Sequence, residues 1–147
     1  MSPAQITNRS DPSLDLALAL VDGIRAEAAR RGKALAVAVV DSGGAVVLTA
    51  RMDGAQHPAV QIATDKAWTA SAFGRPTEAW AASTAPGGAD WGLTVSCAGR
   101  LVVFAGGLPL HADGVLIGGL GVSGAAADVD RLCAEAGLRA LGLPIAP

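Results

Sequence analysis

Apolar residues near the start of the chain recur at helical spacing. At about 100° per residue, one stripe is formed by Leu14, Leu18, Val21 and Ile24. The stripe predicts a core-facing helix that ends at Gly32, because glycine is the usual residue just past a helix C-terminus. Asp11 followed by Pro12 predicts its start, since these residue types suit the N-cap and the first helical position.

Runs rich in β-branched residues predict strands. Leu35 to Val40 and Val46 to Met52 flank the turn signal DSGG and predict an antiparallel hairpin. Further strands are predicted over Leu101 to Ala105, Leu108 to Leu110 and Val115 to Val122. Glycines inside the later runs, among them Gly119 and Gly121, weaken a strand unless a bulge, a helix or a ligand comes close.

A second helix is predicted over the stretch QIATDKAWTASAFGRP and ends at Gly74. Its apolar face is formed by Ala59, Ile62, Ala63, Ala70 and Phe73. Lys66 falls in the middle of that face, and Trp68 falls on the opposite side. Because an unpaired ammonium ion is costly to bury, Lys66 must extend to solvent, pair with a carboxylate or line a cavity. The outward position of Trp68 indicates a contact between subunits.

The order of these elements predicts one domain. Short hairpins link the strands, so we expect an antiparallel sheet with helices packed on it, an α/β (α+β) fold. Residues 1 to 9 are predicted to form a loose tail, and residues 10 to 147 a single domain.

The composition narrows the classes of function. The chain is 51% hydrophobic and 16% charged, which favours a homo-oligomer that buries apolar surface between subunits. No apolar run approaches the roughly 20 residues that span a bilayer, and no secretory signal is evident. Two cysteines without metal-type spacing fit a reducing compartment, so the predicted location is cytoplasmic. A net charge of −2 without a large basic cluster argues against nucleic acid.

Six motifs run along the chain in order: AVVDSGG, ARMDGA, DKAWTASAFGRPT, APGG, GRLVVFAGGLPL and VLIGGLGVSG. They resemble the GlcG/HbpS family, also called the haem-degrading domain family, which is related to the C-terminal domain of PduO-type proteins. The resemblance implies a profilin-like fold with a five-stranded antiparallel sheet flanked by helices on both faces. It also implies homo-oligomers, often tetramers or octamers, and haem binding by some members. With no Tyr and only two His in this chain, we expect a small organic ligand rather than haem.

Lys66 is the first candidate for chemistry. Its ammonium could bind a substrate carboxylate or carbonyl, act as a base, or form a structural ion pair with Asp41 or Asp53. The family pattern has Lys at this motif position, which implies a fixed role. We expect Lys66 to face a pocket that includes Arg51 and Asp53.

Polar residues near the end of the second strand give further candidates. Arg51 and Asp53 are two apart and are predicted to project to the same side, where Arg51 either clamps a ligand carboxylate or neutralises Asp53. His57 is an acid/base group, a haem ligand or a surface residue, and His111 is a surface residue or a haem ligand. No spacing predicts a metal site.

The stretch APGGADWG predicts a binding loop. Pro86, Gly87 and Gly88 let backbone N–H groups approach a ligand, and Trp91 supplies an apolar wall. A plain turn over the sheet edge is the alternative. The other expected ligand-binding residues are Phe73, Arg75 and Arg100.

These candidates predict that a small organic acid or carbonyl compound binds in a cationic pocket formed by Lys66, Arg51 and the Pro86 to Trp91 loop. The enzymatic form of this hypothesis is a cofactor-independent isomerase, lyase or cyclase that works by proton transfer. Its catalytic residues would be Lys66, His57, Asp41 and Asp53. No cofactor and no membrane partner are expected. The alternatives are a haem-binding or haem-storage protein and a ligand-free structural or regulatory oligomer.

Overall fold

The computed structural model describes residues 5–145. Residues 1–4 of the predicted tail and residues 146–147 of the predicted domain lie outside this range, and residues 5–9 are exposed. The helices are α1 (Leu14–Arg30), α2 (Ala59–Phe73), α3 (Ala81–Thr84) and α4 (Ala127–Ala140). The strands are β1 (Ala36–Asp41), β2 (Val46–Arg51), β3 (Gly107–Ala112) and β4 (Val115–Ser123).

The four strands form one antiparallel sheet in the order β2-β1-β4-β3. The prediction of an antiparallel α+β fold is therefore confirmed, but the expected fifth strand over Leu101 to Ala105 is wrong. The backbone of this segment bonds to side chains instead of to a neighbouring strand: Val102 N–H donates to the Thr69 hydroxyl at 3.1 Å, and the Thr77 hydroxyl donates to the Phe104 carbonyl at 2.6 Å.

Helices cover both faces of the sheet. Along β1, Val37 and Val39 belong to the core formed with α1 and α4. The alternate residues Ala36, Ala38 and Val40 pack against Ala59, Ala63 and Ala67 of α2. The alternation follows from the two-residue period of a strand, which sends neighbouring side chains to opposite faces. The sheet therefore lies between α2 on one side and the α1–α4 pair on the other.

Two strand glycines are explained by the closeness of α2. A Cβ atom on Gly121 would lie 1.9 Å from the Ala63 carbonyl oxygen, and one on Gly119 would lie 2.0 Å from the Ala67 carbonyl oxygen. Both distances are far below van der Waals contact. Of the three neighbours that the sequence left open, the close approach of a helix accounts for both glycines.

The predicted end of α2 is correct, but the predicted cap of α1 is wrong. Gly74 has a φ of +64° at the end of α2, the left-handed conformation that glycine adopts most easily. For α1, the cap is Ser13, whose hydroxyl accepts from Leu16 N–H at 3.1 Å. The predicted cap, Asp11, instead accepts from Ser42 N–H in the hairpin turn at 2.9 Å.

The predicted stripe of α1 is only half correct. Val21 and Ile24 are buried, but Leu14 and Leu18 are 53% and 46% exposed. The buried face is completed instead by Leu20 and by two small residues, Ala17 and Ala28, all three fully enclosed. Within residues 5–145, no helix combines the length and apolar character that crossing a bilayer requires.

Candidate functional site

The ammonium of Lys66 is completely buried between α2, β4 and α4. Its Nζ atom lies 2.9 Å from Oδ2 of Asp130 and 2.9 Å from the Val122 carbonyl oxygen, and it faces the Phe104 ring at 5.1 Å from the centroid. Burial lowers the pKa of Lys66, while the hydrogen bond and charge of Asp130 oppose that shift. The lysine is therefore enclosed by protein and held in a buried ion pair.

Asp130 is the partner that the sequence analysis missed. It is 2% exposed, and its other carboxylate oxygen, Oδ1, accepts from Ala125 N–H at 3.0 Å. Burial raises the pKa of Asp130, against the hydrogen bond from Lys66. A signal was present in the sequence. Asp130 begins the buried stripe of α4, whose members are Asp130, Cys133, Ala134, Gly137 and Leu138, so an acid and a base each occupy a core-facing helical position.

The two expected partners of Lys66 lie elsewhere. Oδ1 of Asp41 accepts from Gly43 N–H and Ala45 N–H, both at 2.9 Å, and so closes the hairpin turn. Short side chains at turns commonly bond their own backbone in this way. Asp53 follows β2 and lines a cavity whose lining does not include Lys66. The prediction of one pocket shared by Lys66, Arg51 and Asp53 is therefore wrong.

That cavity lies between α1 and the β1–β2 edge of the sheet, with a volume of about 430 Å³. Its apolar lining consists of Val21, Val37, Ala50 and Met52, and its polar lining consists of Arg25, Arg51 and Asp53. Arg25 is exposed and lies 3.6 Å from Asp22, one turn away on α1. The lining is therefore partly apolar and carries two arginines against one carboxylate, a combination suited to an organic anion.

Arg51 and His57 make contact beside this cavity. Arg51 pairs with Ala36 across the sheet, and the Ala36 side chain faces α2. The guanidinium of Arg51 therefore extends on the α2 side of β2, where its Nη1 lies 3.2 Å from Nδ1 of His57. The structure thus brings together three of the predicted site residues, Arg51, Asp53 and His57, around the end of β2.

The predicted binding loop is a turn in which backbone N–H groups donate to carbonyl groups of the same loop. Gly88 N–H donates to the Ala85 carbonyl at 2.8 Å, and Trp91 N–H donates to the Gly88 carbonyl at 3.1 Å. These amides are therefore not free for a ligand. A Cβ atom on Gly88 would lie 2.2 Å from the Ser83 carbonyl oxygen, which explains that glycine structurally. Pro86, Gly87 and Trp91 are exposed, and none of them lines the α1–β2 cavity.

The remaining predicted ligand-binding residues have partners within the fold. Phe73 packs edge-on against Trp80 with ring centroids 5.0 Å apart, and Arg75 lies 4.5 Å above the same indole. None of these side chains lines the α1–β2 cavity.

Arg100 and Trp68 also have a structural explanation. Arg100 donates to Asp65 at 3.0 Å and stacks on Trp68 at 4.7 Å. Trp68 is half-buried and lies against Gly44, where a Cβ atom would come within 2.8 Å of its ring. Trp68 therefore packs under the hairpin turn, and the expectation that it is an exposed aromatic side chain is wrong.

Possible donors to a metal are dispersed. His111 is half-buried on β3, Cys97 is exposed and Cys133 is buried. The sulfur of Met52 accepts from Leu35 N–H at 3.4 Å. Within the part of the chain that the structure describes, no group of three or more His, Cys, Asp or Glu side chains is arranged to hold a metal ion.

Comparison with known proteins adds a family context to this geometry. A family model described as haem degrading protein HbpS-like matches residues 13–139. An uncharacterised 15.0 kDa protein from the dhaT-dhaS intergenic region of Citrobacter freundii is 35% identical over 126 residues, which cover 86% of this chain and 89% of that protein.

Two solved structures are similar throughout. The ORFY protein of Klebsiella pneumoniae superposes with a TM-score of 0.91 at 29% identity, covering 97% of both chains. A crystal structure of a PduOC:heme complex superposes with a TM-score of 0.88 at 31% identity, covering 93% of this chain and 99% of that one. The architecture of residues 5–145 is therefore shared with proteins of known structure.

Proposed function

The chain belongs to the HbpS-like family of haem-degrading proteins, and from that premise we propose that it binds a small organic acid in the cavity between α1 and β2. The observation that carries the proposal is the composition of this cavity. Its volume of about 430 Å³ lies within the range of small-molecule sites, roughly 300–1,000 Å³. Val21, Val37 and Ala50 would contact the apolar body of the ligand, and Arg25 would bind its carboxylate.

Binding is better supported than catalysis. Lys66 is enclosed by its ion pair with Asp130, and Asp41 is committed to the hairpin turn. A cofactor-independent isomerase, lyase or cyclase would therefore have only His57 and Asp53 for proton transfer. Nδ1 of His57 is already in contact with Arg51.

Replacing Arg25 tests the binding proposal. We expect Arg25→Leu to weaken binding of benzoate or hexanoate by about tenfold or more, because a hydrogen bond to a charged group is lost. Stability should change by less than about 0.5 kcal/mol, because an exposed ion pair such as Arg25–Asp22 contributes little. Isothermal titration calorimetry and a thermal melt measure the two effects.

The control is Arg139→Leu, which removes an exposed arginine of α4 that pairs with Glu135 instead of lining the cavity. It should bind the acids like the unaltered chain. Equal affinity of Arg25→Leu and Arg139→Leu would contradict the proposal.

Haem is the second candidate, and the similarity to the PduOC:heme complex is the observation that favours it. Haem binding requires an axial donor and a wide apolar slot. Three of the donors fit poorly, and His111 and Cys97 do not line the α1–β2 cavity. The Met52 sulfur accepts a backbone N–H, Cys133 is buried, and Nδ1 of His57 faces a guanidinium. The α1–β2 cavity therefore fits a small acid better than an iron porphyrin.

We also propose that the chain forms a homo-oligomer, with Trp91 and Val95 in place of Trp68 as the interface residues. Trp68 is packed within the chain, but Trp91 and Val95 are 65% and 82% exposed. Aromatic side chains such as Trp are enriched at interfaces relative to the rest of the surface. Light scattering should give a multiple of the 14.5 kDa chain mass, and Trp91→Glu should reduce it. A monomer mass for the unaltered chain would contradict this.

A further inference from the structure

The contact between Arg51 and His57 determines which nitrogen of the imidazole carries the hydrogen. Nη1 of Arg51 lies 3.2 Å from Nδ1 of His57. A guanidinium only donates hydrogen bonds and stays protonated in proteins. A neutral imidazole has one donor nitrogen and one acceptor nitrogen. In the neutral form of His57, Nδ1 is therefore the acceptor in this pair and the hydrogen lies on Nε2.

This assignment is the reverse of what a metal-ligating histidine needs. An imidazole that binds iron through Nε2 uses the lone pair of that nitrogen, so Nδ1 must carry the hydrogen. Ligating histidines accordingly donate that N–H to a carboxylate or a carbonyl. In this chain the group facing Nδ1 is a cation that can only donate. If Nε2 bound iron, the Nδ1–H of His57 would face an N–H of Arg51, and neither group could accept a hydrogen bond.

We propose that Arg51 prevents His57 from ligating haem iron and fixes it as a hydrogen-bond donor at Nε2. Arg51 is then a residue that determines ligand specificity. With Arg51 in place, the Arg51–His57 pair presents only donors, which suit the oxygen atoms of an anion. Without Arg51, the same histidine becomes available to a metal. The Arg51–His57 pair would act in this way whether or not a small acid is the ligand.

The test is a hemin titration in a His111→Ala background, which removes the only other histidine of the chain. Adding Arg51→Leu should tighten hemin binding by about tenfold or more, the size of effect that a partner of a ligating histidine exerts. Adding His57→Ala to that variant should abolish the gain. Arg51→Lys is the matched control, because its ammonium still donates toward Nδ1, and it should bind hemin no better than the background.

Two results would overturn the proposal: a Soret band of the background protein that His57→Ala abolishes, or no gain in Arg51→Leu. A measurement without hemin gives an independent readout. In ¹⁵N spectra of the ligand-free protein, Nδ1 of His57 should be an unprotonated nitrogen that accepts a hydrogen bond, and its resonance should move in Arg51→Leu but not in Arg51→Lys. A hydrogen on Nδ1, or identical resonances in all three proteins, would equally contradict it.

Discussion

Lys66→Met should lower the free energy of unfolding by about 3–5 kcal/mol, because it leaves the buried carboxylate of Asp130 without its cation. Methionine keeps the length and most of the volume of the lysine stem, so the lost charge is the main change. For a domain of this size the melting temperature should fall by about 10 °C or more. Thermal unfolding followed by circular dichroism measures the shift.

Two further variants separate the ion pair from other causes. Lys66→Met combined with Asp130→Asn should recover part of the loss, because the amide oxygen can still accept from Ala125 N–H and no buried charge remains. Lys33→Met alters the only other lysine, which is exposed, and should change stability by less than about 0.5 kcal/mol. A Lys66→Met protein that melts like Lys33→Met would show that the pair does not support the fold.

Gly121→Ala should destabilise the protein by about 3 kcal/mol or more, at or beyond the upper end of the usual cost of overpacking. The added Cβ would lie 1.9 Å from the Ala63 carbonyl oxygen and 2.7 Å from the Ala67 nitrogen. Both atoms belong to the backbone of α2, so a whole helix must move. Denaturant unfolding gives the free energy, and failure to fold agrees with the expectation.

The matched control is Gly43→Ala in the hairpin turn. The atoms nearest to its added Cβ all belong to the flexible Arg9 side chain, which can move aside. Its stability should be close to that of the unaltered chain. Equal stability of Gly121→Ala and Gly43→Ala would mean that α2 does not need the strand glycines.

Local signals predicted most of the fold, and they failed where distant groups compete for the backbone. The end of α2 followed from Gly74, whose conformation is a property of the residue itself. The apolar run from Leu101 to Ala105 reads locally as a strand. Thr69 and Thr77, which are far away in sequence, take up its backbone hydrogen bonds. No pattern within the run contains that information.

The candidate site was predictable only in part, for a similar reason. Periodicity correctly marked Lys66 as a charge on a buried face, but its partner is 64 residues away. Asp130 could have been found by the same test applied to α4. Arg25 carried no such signal, because an exposed arginine on an amphipathic helix is ordinary, and only the packing of α1 beside β2 makes it part of a cavity.

Nuclear magnetic resonance titration of the unaltered chain tests the central claim, a small organic acid bound between α1 and β2. With benzoate or hexanoate as the probe, the methyl resonances of Val21, Val37 and Ala50 should shift and saturate. Benzyl alcohol and hexanol, which lack the carboxylate, should produce much weaker shifts, because Arg25 then has no anion to bind. An absence of saturable shifts at these three residues, or equal responses to acid and alcohol, would contradict the claim.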